Sequence, residues 1–348
     1  MTHPGGGVDV PVASSGGMSD SPVLTVSDLT VEFDTEVGTA VVVQGVDFVL
    51  QRGQILGLVG ESGSGKSVTS LAMLGLIRSP PGRVTSGEVR FEGRDLLTLP
   101  AAEMRDVRGK ELALIFQEPR RSLDPSFSVG YQIAEVARRH LGLSRREAWA
   151  RAVESLDMVQ IPESARRARE YPHTFSGGMC QRVMLAMALV CRPKVLIADE
   201  PTTALDVTVQ AQMLDLLREL QGELGLAILL ITHDLGVVAG ACERVAVMYA
   251  GQIVETAPVR EIFRNPQHPY TAGLLASLPQ NHVGSGELGA IPGVVPSPHA
   301  WPEGCRFHPR CSHALDICRG DEAPLLQVAP DHQVRCVRSE ALVLRGIE

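Results

Sequence analysis

The chain has 348 residues, 44% of them hydrophobic, and a formal net charge of −8. That length and apolar content allow one large domain or two modest ones with a real core. The acidic balance argues against a general electrostatic grip on nucleic acid, and no apolar run approaches the ~20 residues that span a bilayer.

Met1 to Ser21 is rich in Gly, Ser and Pro and carries no apolar secretory core, which predicts a disordered tail over residues 1–22 of a cytosolic protein without disulfides. Val23 to Val31, Ala40 to Leu50 and Ser86 to Phe91 are strand-like and predict an antiparallel β layer. The short apolar run Ile55 to Val59 reads as a strand, and Ser67 to Ile77 as a helix. Ala101 to Arg108 reads as a helix and Leu112 to Phe116 as a strand. From about Val129 to Arg169, Ala, Leu, Glu and Arg recur at helical spacing, which predicts a helical insertion over about 118–182. A helix is expected from Cys180 to Cys191. Val195 to Ala198 and Ala227 to Ile231 read as buried strands flanking a helix from Val209 to Leu224. Alternation of this kind indicates an α/β core with a largely parallel sheet. From Pro266 onward Pro, Gly and His become frequent and periodicity fades, so a loop-rich segment is expected over 263–348.

Between the first apolar run and its helix, residues 60 to 67 read Gly-Glu-Ser-Gly-Ser-Gly-Lys-Ser, a complete G-x-x-x-x-G-K-[ST] phosphate-binding loop. Gly60, Glu61, Ser62, Gly63, Ser64 and Gly65 offer backbone N–H groups to phosphates, and Val68, in the first turn of the helix, is a nucleotide-binding candidate with them. The helix N-terminus adds partial positive charge at the same point. Lys66 can reach the β- and γ-phosphates and Ser67 can ligate Mg²⁺. Further along, Val195 to Ala198 ends in Asp199 and Glu200. The first is placed to hold Mg²⁺, the second to polarise the water that attacks the γ-phosphate. Gln117 follows a strand and could bind Mg²⁺ or water near the γ-phosphate. Ser176, Gly177 and Gly178 precede a helix and make a second anion site, and His233, at a strand end, would face the γ-phosphate as a catalytic residue.

In this order, with Asp206, these motifs resemble the nucleotide-binding subunits of ABC transporters over roughly residues 23 to 262. The resemblance implies a P-loop NTPase (RecA-like) α/β core with an antiparallel β layer and a helical subdomain. It also implies hydrolysis of ATP with Mg²⁺ and a partner ATPase subunit that is homologous or identical. In such a head-to-tail pair Ser176, Gly177 and Gly178 would act in trans on the other subunit's ATP, and Leu205-Asp206 would lie at the seam. Phe33 is the nearest candidate for the aromatic residue that stacks on adenine, a strand-core role being equally open. The signature usually reads Leu-Ser-Gly-Gly-Gln. Here Phe175 and Met179 flank the glycines, the Met being familiar in the peptide-importer branch, and Cys180 stands where that branch usually has Arg.

The run Asn265-Pro266-Gln267-His268-Pro269-Tyr270-Thr271 is similar to the C-terminal motif of oligopeptide and dipeptide importer ATPases. Phe116-Gln117-Glu118-Pro119 with Ser122-Leu123-Asp124-Pro125 supports that branch, although Arg120 and Arg121 are less typical. Membership implies two transmembrane permease subunits, an extracytoplasmic peptide-binding protein and a place at the cytoplasmic face of a bacterial membrane. Nickel or another small solute is the alternative cargo, and a soluble ABC ATPase without a permease the alternative role. Four cysteines then follow: Cys305, Cys311, Cys318 and Cys336, with five, six and seventeen residues between neighbours. By their residues alone they could be free thiols or a metal site. The paired C-x₂-C spacing usual for zinc is absent, whereas a 4Fe–4S cluster takes four thiolates at irregular spacing. Their similarity to the cysteine set of some importer ATPases implies a 4Fe–4S cluster.

Overall fold

A computed structural model describes residues 21–203, 205–278 and 291–347, so the sequence-predicted tail lies outside it except for Ser21 and Pro22. Two sheets organise the chain. The smaller is antiparallel and has the strand order Gly38–Leu50, Leu24–Thr35, Gly82–Phe91, Arg94–Asp95. The larger has eight strands. Its parallel part runs Arg244–Tyr249, Ile55–Val59, Ala227–Thr232, Val195–Asp199, Leu112–Ile115. Gln252–Pro258 and a hairpin of His332–Val334 and Leu326–Ala329 extend it antiparallel.

The parallel strands are buried on both faces and read as unbroken apolar runs. Alternate residues serve different cores. Leu196, Ala198, Ile228 and Leu230 face one packed against the helices Val129–Leu141, Arg145–Met158, Gly177–Leu189 and Val207–Leu224. Val195, Ile197, Leu229 and Ile231 face a second, shared with the antiparallel layer. Caps fix the helix starts: Ser128 accepts from the Tyr131 amide, and Ser144 forms a capping box with Glu147.

Several boundaries shift from the sequence reading, two of them beside the nucleotide motifs. The helix after the phosphate loop is Lys66–Met73, shorter than Ser67 to Ile77, because Gly75 takes a left-handed φ of 58° and turns the chain away. The helix expected from Cys180 begins at Gly177, where Ser176 caps it.

The C-terminal residues fold onto the larger sheet. His332 and Glu255, 1% and 0% exposed, meet at 2.7 Å, and Glu255 also accepts from the amides of Gln267 and His268. Phe307 and Tyr270, the latter in the helix Pro269–Ala276, join the strand-borne Tyr249 in a third apolar cluster.

Candidate functional site

Four neighbouring parallel strands end at one edge of the larger sheet, the crevice where open α/β sheets place ligands. Ile55–Val59 leads into the phosphate loop, Leu112–Ile115 into Gln117, Val195–Asp199 into Glu200 and Ala227–Thr232 into His233.

Backbone freedom shapes the loop at two points. Gly65 caps the following helix with φ 105°, a conformation that Cβ-bearing residues rarely adopt. At Gly60 an added Cβ would lie 2.1 Å from the Met248 carbonyl, so only glycine fits. The Lys66 ammonium, on a residue only 5% exposed, donates to the Gly60 carbonyl at 2.7 Å and the Glu61 carbonyl at 3.0 Å. Burial lowers its pKa from the ordinary lysine value, against the attraction of Glu200, Asp199 and Glu61. Ser64 is fully buried, whereas Ser62 and Gly63 are exposed at the loop's tip. Ser67 sits in the first turn of the helix and hydrogen-bonds Asp199.

Asp199 is 8% exposed. Burial holds its carboxyl above the ordinary carboxylate range, against the Ser67 hydrogen bond that lowers it. Its Oδ1 is buried without a hydrogen-bond partner. An orphaned anionic oxygen beside a hydroxyl, next to a phosphate loop, is a donor set that fits Mg²⁺.

Glu200 collects three partners. Gln117 Nε2 and Thr203 Oγ1 each donate to Oε2 at 2.7 Å, and His233 Nδ1 lies 3.2 Å from Oε1. Its backbone is left-handed, φ 49°, a conformation of the strained kind that clusters at functional sites. Burial alone would raise its pKa, but the Thr203 and His233 hydrogen bonds and the attraction of His233 and Lys66 together leave the carboxylate below its ordinary range.

Lys66, Ser67, Asp199, Glu200, Gln117 and His233 are thus brought together. Ser176, Gly177 and Gly178 are not: they line a surface depression with Gln160, Arg182, Leu205 and Asp206, to which the phosphate loop does not contribute. Ser176 Oγ accepts from the Met179 amide at 3.3 Å, and an added Cβ at Gly177 would meet nothing within 4 Å. Asp206 caps the helix Val207–Leu224. Cys180 is fully buried, its Sγ 3.6 Å from the Pro172 carbonyl. Phe33 pairs with Ala40 and Gly82, and its half-buried ring lies against Gly82.

The four C-terminal cysteines, all reduced, line one cavity together with His268, Phe307, His308 and His313. Among the described residues no three acidic, His or Cys side chains are close enough to hold a single metal ion. Burial pushes the Cys305 thiol up to about 11 and raises Cys311 and Cys336. A zinc ion, bonding sulfur at about 2.3 Å, would need the thiolates drawn tightly together. The lining offers four thiols and no carboxylate, the donor type that a 4Fe–4S cluster takes.

Three contacts of the site leave no trace in the sequence pattern. Thr203 lies in an ordinary turn. Tyr270 and Arg310, which bond Glu61, are 209 and 249 residues from it.

Comparison with known proteins adds a separate line. Residues 43–203 match the ABC transporter family model, and 254–318 match the oligopeptide/dipeptide transporter C-terminal region. A putative peptide import ATP-binding protein of Brucella melitensis is 49% identical over 332 residues, 92% of this chain and 98% of that protein. The oligopeptide transport ATP-binding protein of Bacillus subtilis is 52% identical, covering 90% of this chain and 88% of its own length. Among solved structures, the ATP-binding cassette MJ0796, in a dimeric post-hydrolysis state bound to ADP and Pi, is similar at TM-score 0.61 and 26% identity, over 68% of this chain and 99% of that one. A subunit of the cbiONQ complex of Clostridium perfringens matches at TM-score 0.60 and 28% identity, over 70% of this chain and 91% of its own.

Proposed function

The chain belongs to the ABC transporter family of ATP-binding proteins, and on that premise we propose that it is the ATP-hydrolysing subunit of a bacterial importer for di- and oligopeptides. The observation that carries the reading is the convergence of Gln117, Thr203 and His233 on Glu200, beside the buried pair Lys66 and Asp199. The peptide cargo is supported by the C-terminal match and the relatives' names.

The chemistry follows from the arrangement. The loop amides and Lys66 bind the triphosphate. Asp199 and Ser67 would hold Mg²⁺, which neutralises phosphate charge when bound. Glu200, ionised at neutral pH, accepts a proton from the water that attacks the γ-phosphorus, while the bond to the ADP oxygen breaks and phosphate leaves. Gln117 and His233 orient that carboxylate and the water between them. Stacking of Phe33 on adenine belongs to the same proposal.

The exposed Ser176 and the half-buried Gly177 and Gly178, which open a helix, line a depression apart from the phosphate loop of their own chain. They serve the ATP of a second ATPase subunit, so that nucleotide binds more tightly to the closed pair than to the open one. Among the described residues no helix is long and apolar enough to cross a membrane. In this reading the chain works at the cytoplasmic face with two permease subunits, fed by an extracytoplasmic peptide-binding protein. The cysteine cavity holds a 4Fe–4S cluster that staples residues 305–336.

The test is isolation of the intact complex from its native membrane, reconstitution in liposomes and assay with peptides. Two polytopic partners and peptide-stimulated ATPase are expected. Purification without membrane partners, or stimulation by Ni²⁺ alone, overturns the peptide-importer reading.

A further inference from the structure

The phosphate loop carries a negative charge of its own. Glu61 is its second residue, and its carboxylate stands on the segment that must receive a polyphosphate. The C-terminal segment answers that charge. Arg310 grips Glu61 with a fork, Nη1 to Oε1 and Nη2 to Oε2, both at 3.1 Å. The Arg310 side chain is 5% exposed and that of Glu61 29%, so the pair is shielded enough to be more than a solvated surface bridge. Bidentate pairing fixes orientation as well as charge. The fork is itself held: Arg310 Nε donates to the Pro292 carbonyl at 2.9 Å and Nη1 approaches the Tyr249 hydroxyl at 3.4 Å. Tyr270, also beyond the ATPase core, accepts from the Glu61 amide at 2.9 Å.

We propose that Arg310 is a positioning residue for ATP binding: it neutralises Glu61 and fixes the first turn of the phosphate loop, so the C-terminal segment forms part of the nucleotide site. The inference rests on the reading of residues 60–67 as an ATP site. Its physical content is a charge balance. With the fork in place, the loop presents amides and Lys66 to the triphosphate. Without it, an unpaired carboxylate faces like charge and the loop loses an anchor. Arg310 immediately precedes Cys311, and Phe307, which lines the cysteine cavity, stands edge-on to Tyr249 at 5.2 Å. The Arg310 anchor and part of the cysteine cavity's lining therefore come from one short stretch of chain.

The test is ATP affinity of the full chain with Mg²⁺, by titration calorimetry, alongside its melting temperature. Arg310→Gln is expected to weaken ATP about tenfold, and ADP by less because it carries less charge. Removing the opposing charge as well, in Glu61→Gln/Arg310→Gln, recovers most of that affinity although the fork is still missing. Arg310→Lys, which keeps the charge but not the fork, recovers part of it. Wild-type affinity in Arg310→Gln overturns the proposal. So does a double variant as weak as Arg310→Gln, since packing alone would then explain the loss. Failure of the wild-type chain to bind ATP would strike the function reading itself, a result distinct from both.

Discussion

Gln117 and Glu200, which follow adjacent parallel strands, are tied by a 2.7 Å hydrogen bond from Nε2 to Oε2. Glu200 is also held by Thr203 and His233, so its carboxylate is aimed before nucleotide arrives. Glu200→Gln keeps the shape and loses the base. It is expected to retain ATP binding and to lose about 10²–10⁴ in kcat. Normal turnover in steady-state phosphate release would refute the assigned role.

The same bonds set the pH dependence. Against burial, the Thr203 and His233 bonds with the attraction of His233 and Lys66 leave the Glu200 pKa below its ordinary value. The base is therefore lost only when pH falls through that lowered pKa, and folded stability contributed by these bonds is lost in the same direction. The acid limb of kcat/KM is expected below the ordinary carboxylate range. A limb near neutrality would assign the base elsewhere.

Asp199 behaves in the opposite sense. Burial raises its pKa, so the folded chain binds more protons than the unfolded one as pH climbs from the ordinary carboxylate range, and stability falls with rising pH there. Asp199→Asn removes that penalty. The chain without nucleotide is expected to melt about 1–3 °C higher, while the extra stabilisation that Mg²⁺ adds to ATP disappears. A variant that melts lower and still responds to Mg²⁺ would contradict the site.

These elements were legible to different degrees for physical reasons. Ile55–Val59, Val195–Asp199 and Ala227–Thr232 announce themselves because strands buried on both faces are continuously apolar. The loop and the acidic pair sit at strand ends, where short-range spacing carries the chemistry. Gly75 does not mark the helix end in the sequence, because a lone glycine in a helical pattern does not declare its φ. The joining of the hairpin Leu326–Val334 to the main sheet, and the Arg310 fork on Glu61, depend on pairings far apart in the chain that leave no periodic trace.

Gly177 offers a test of the second ATPase subunit. Its backbone is ordinary and an added Cβ would meet nothing, so Gly177→Ala should fold with a melting temperature within about 1 °C of wild type. The methyl would instead project into the space where a neighbour's γ-phosphate must approach the turn. Binding of ATP to the chain's own loop is expected to survive. ATP-driven pairing in the Glu200→Gln background, read by size-exclusion chromatography with light scattering, should be lost. Undiminished pairing would remove this turn from the interface.

The cysteine cavity gives the last prediction. Burial keeps Cys305, Cys311 and Cys336 protonated at neutral pH in the absence of metal, Cys305 with a pKa of about 11. Metal ligation requires thiolates, so loading the cavity must release protons and must become less favourable as pH falls. A cluster would also cross-link residues 305 to 336, a stretch with two short strands and few buried apolar side chains. Anaerobically purified chain is expected to carry about four irons and four acid-labile sulfides, and Cys336→Ser should lose them. The melting temperature should drop on chelation in the wild type and already be low in Cys336→Ser. Zinc alone in the purified protein would reject the iron–sulfur assignment, and equal stability with and without metal would show that the packing of His332 on Glu255 already suffices to hold the segment.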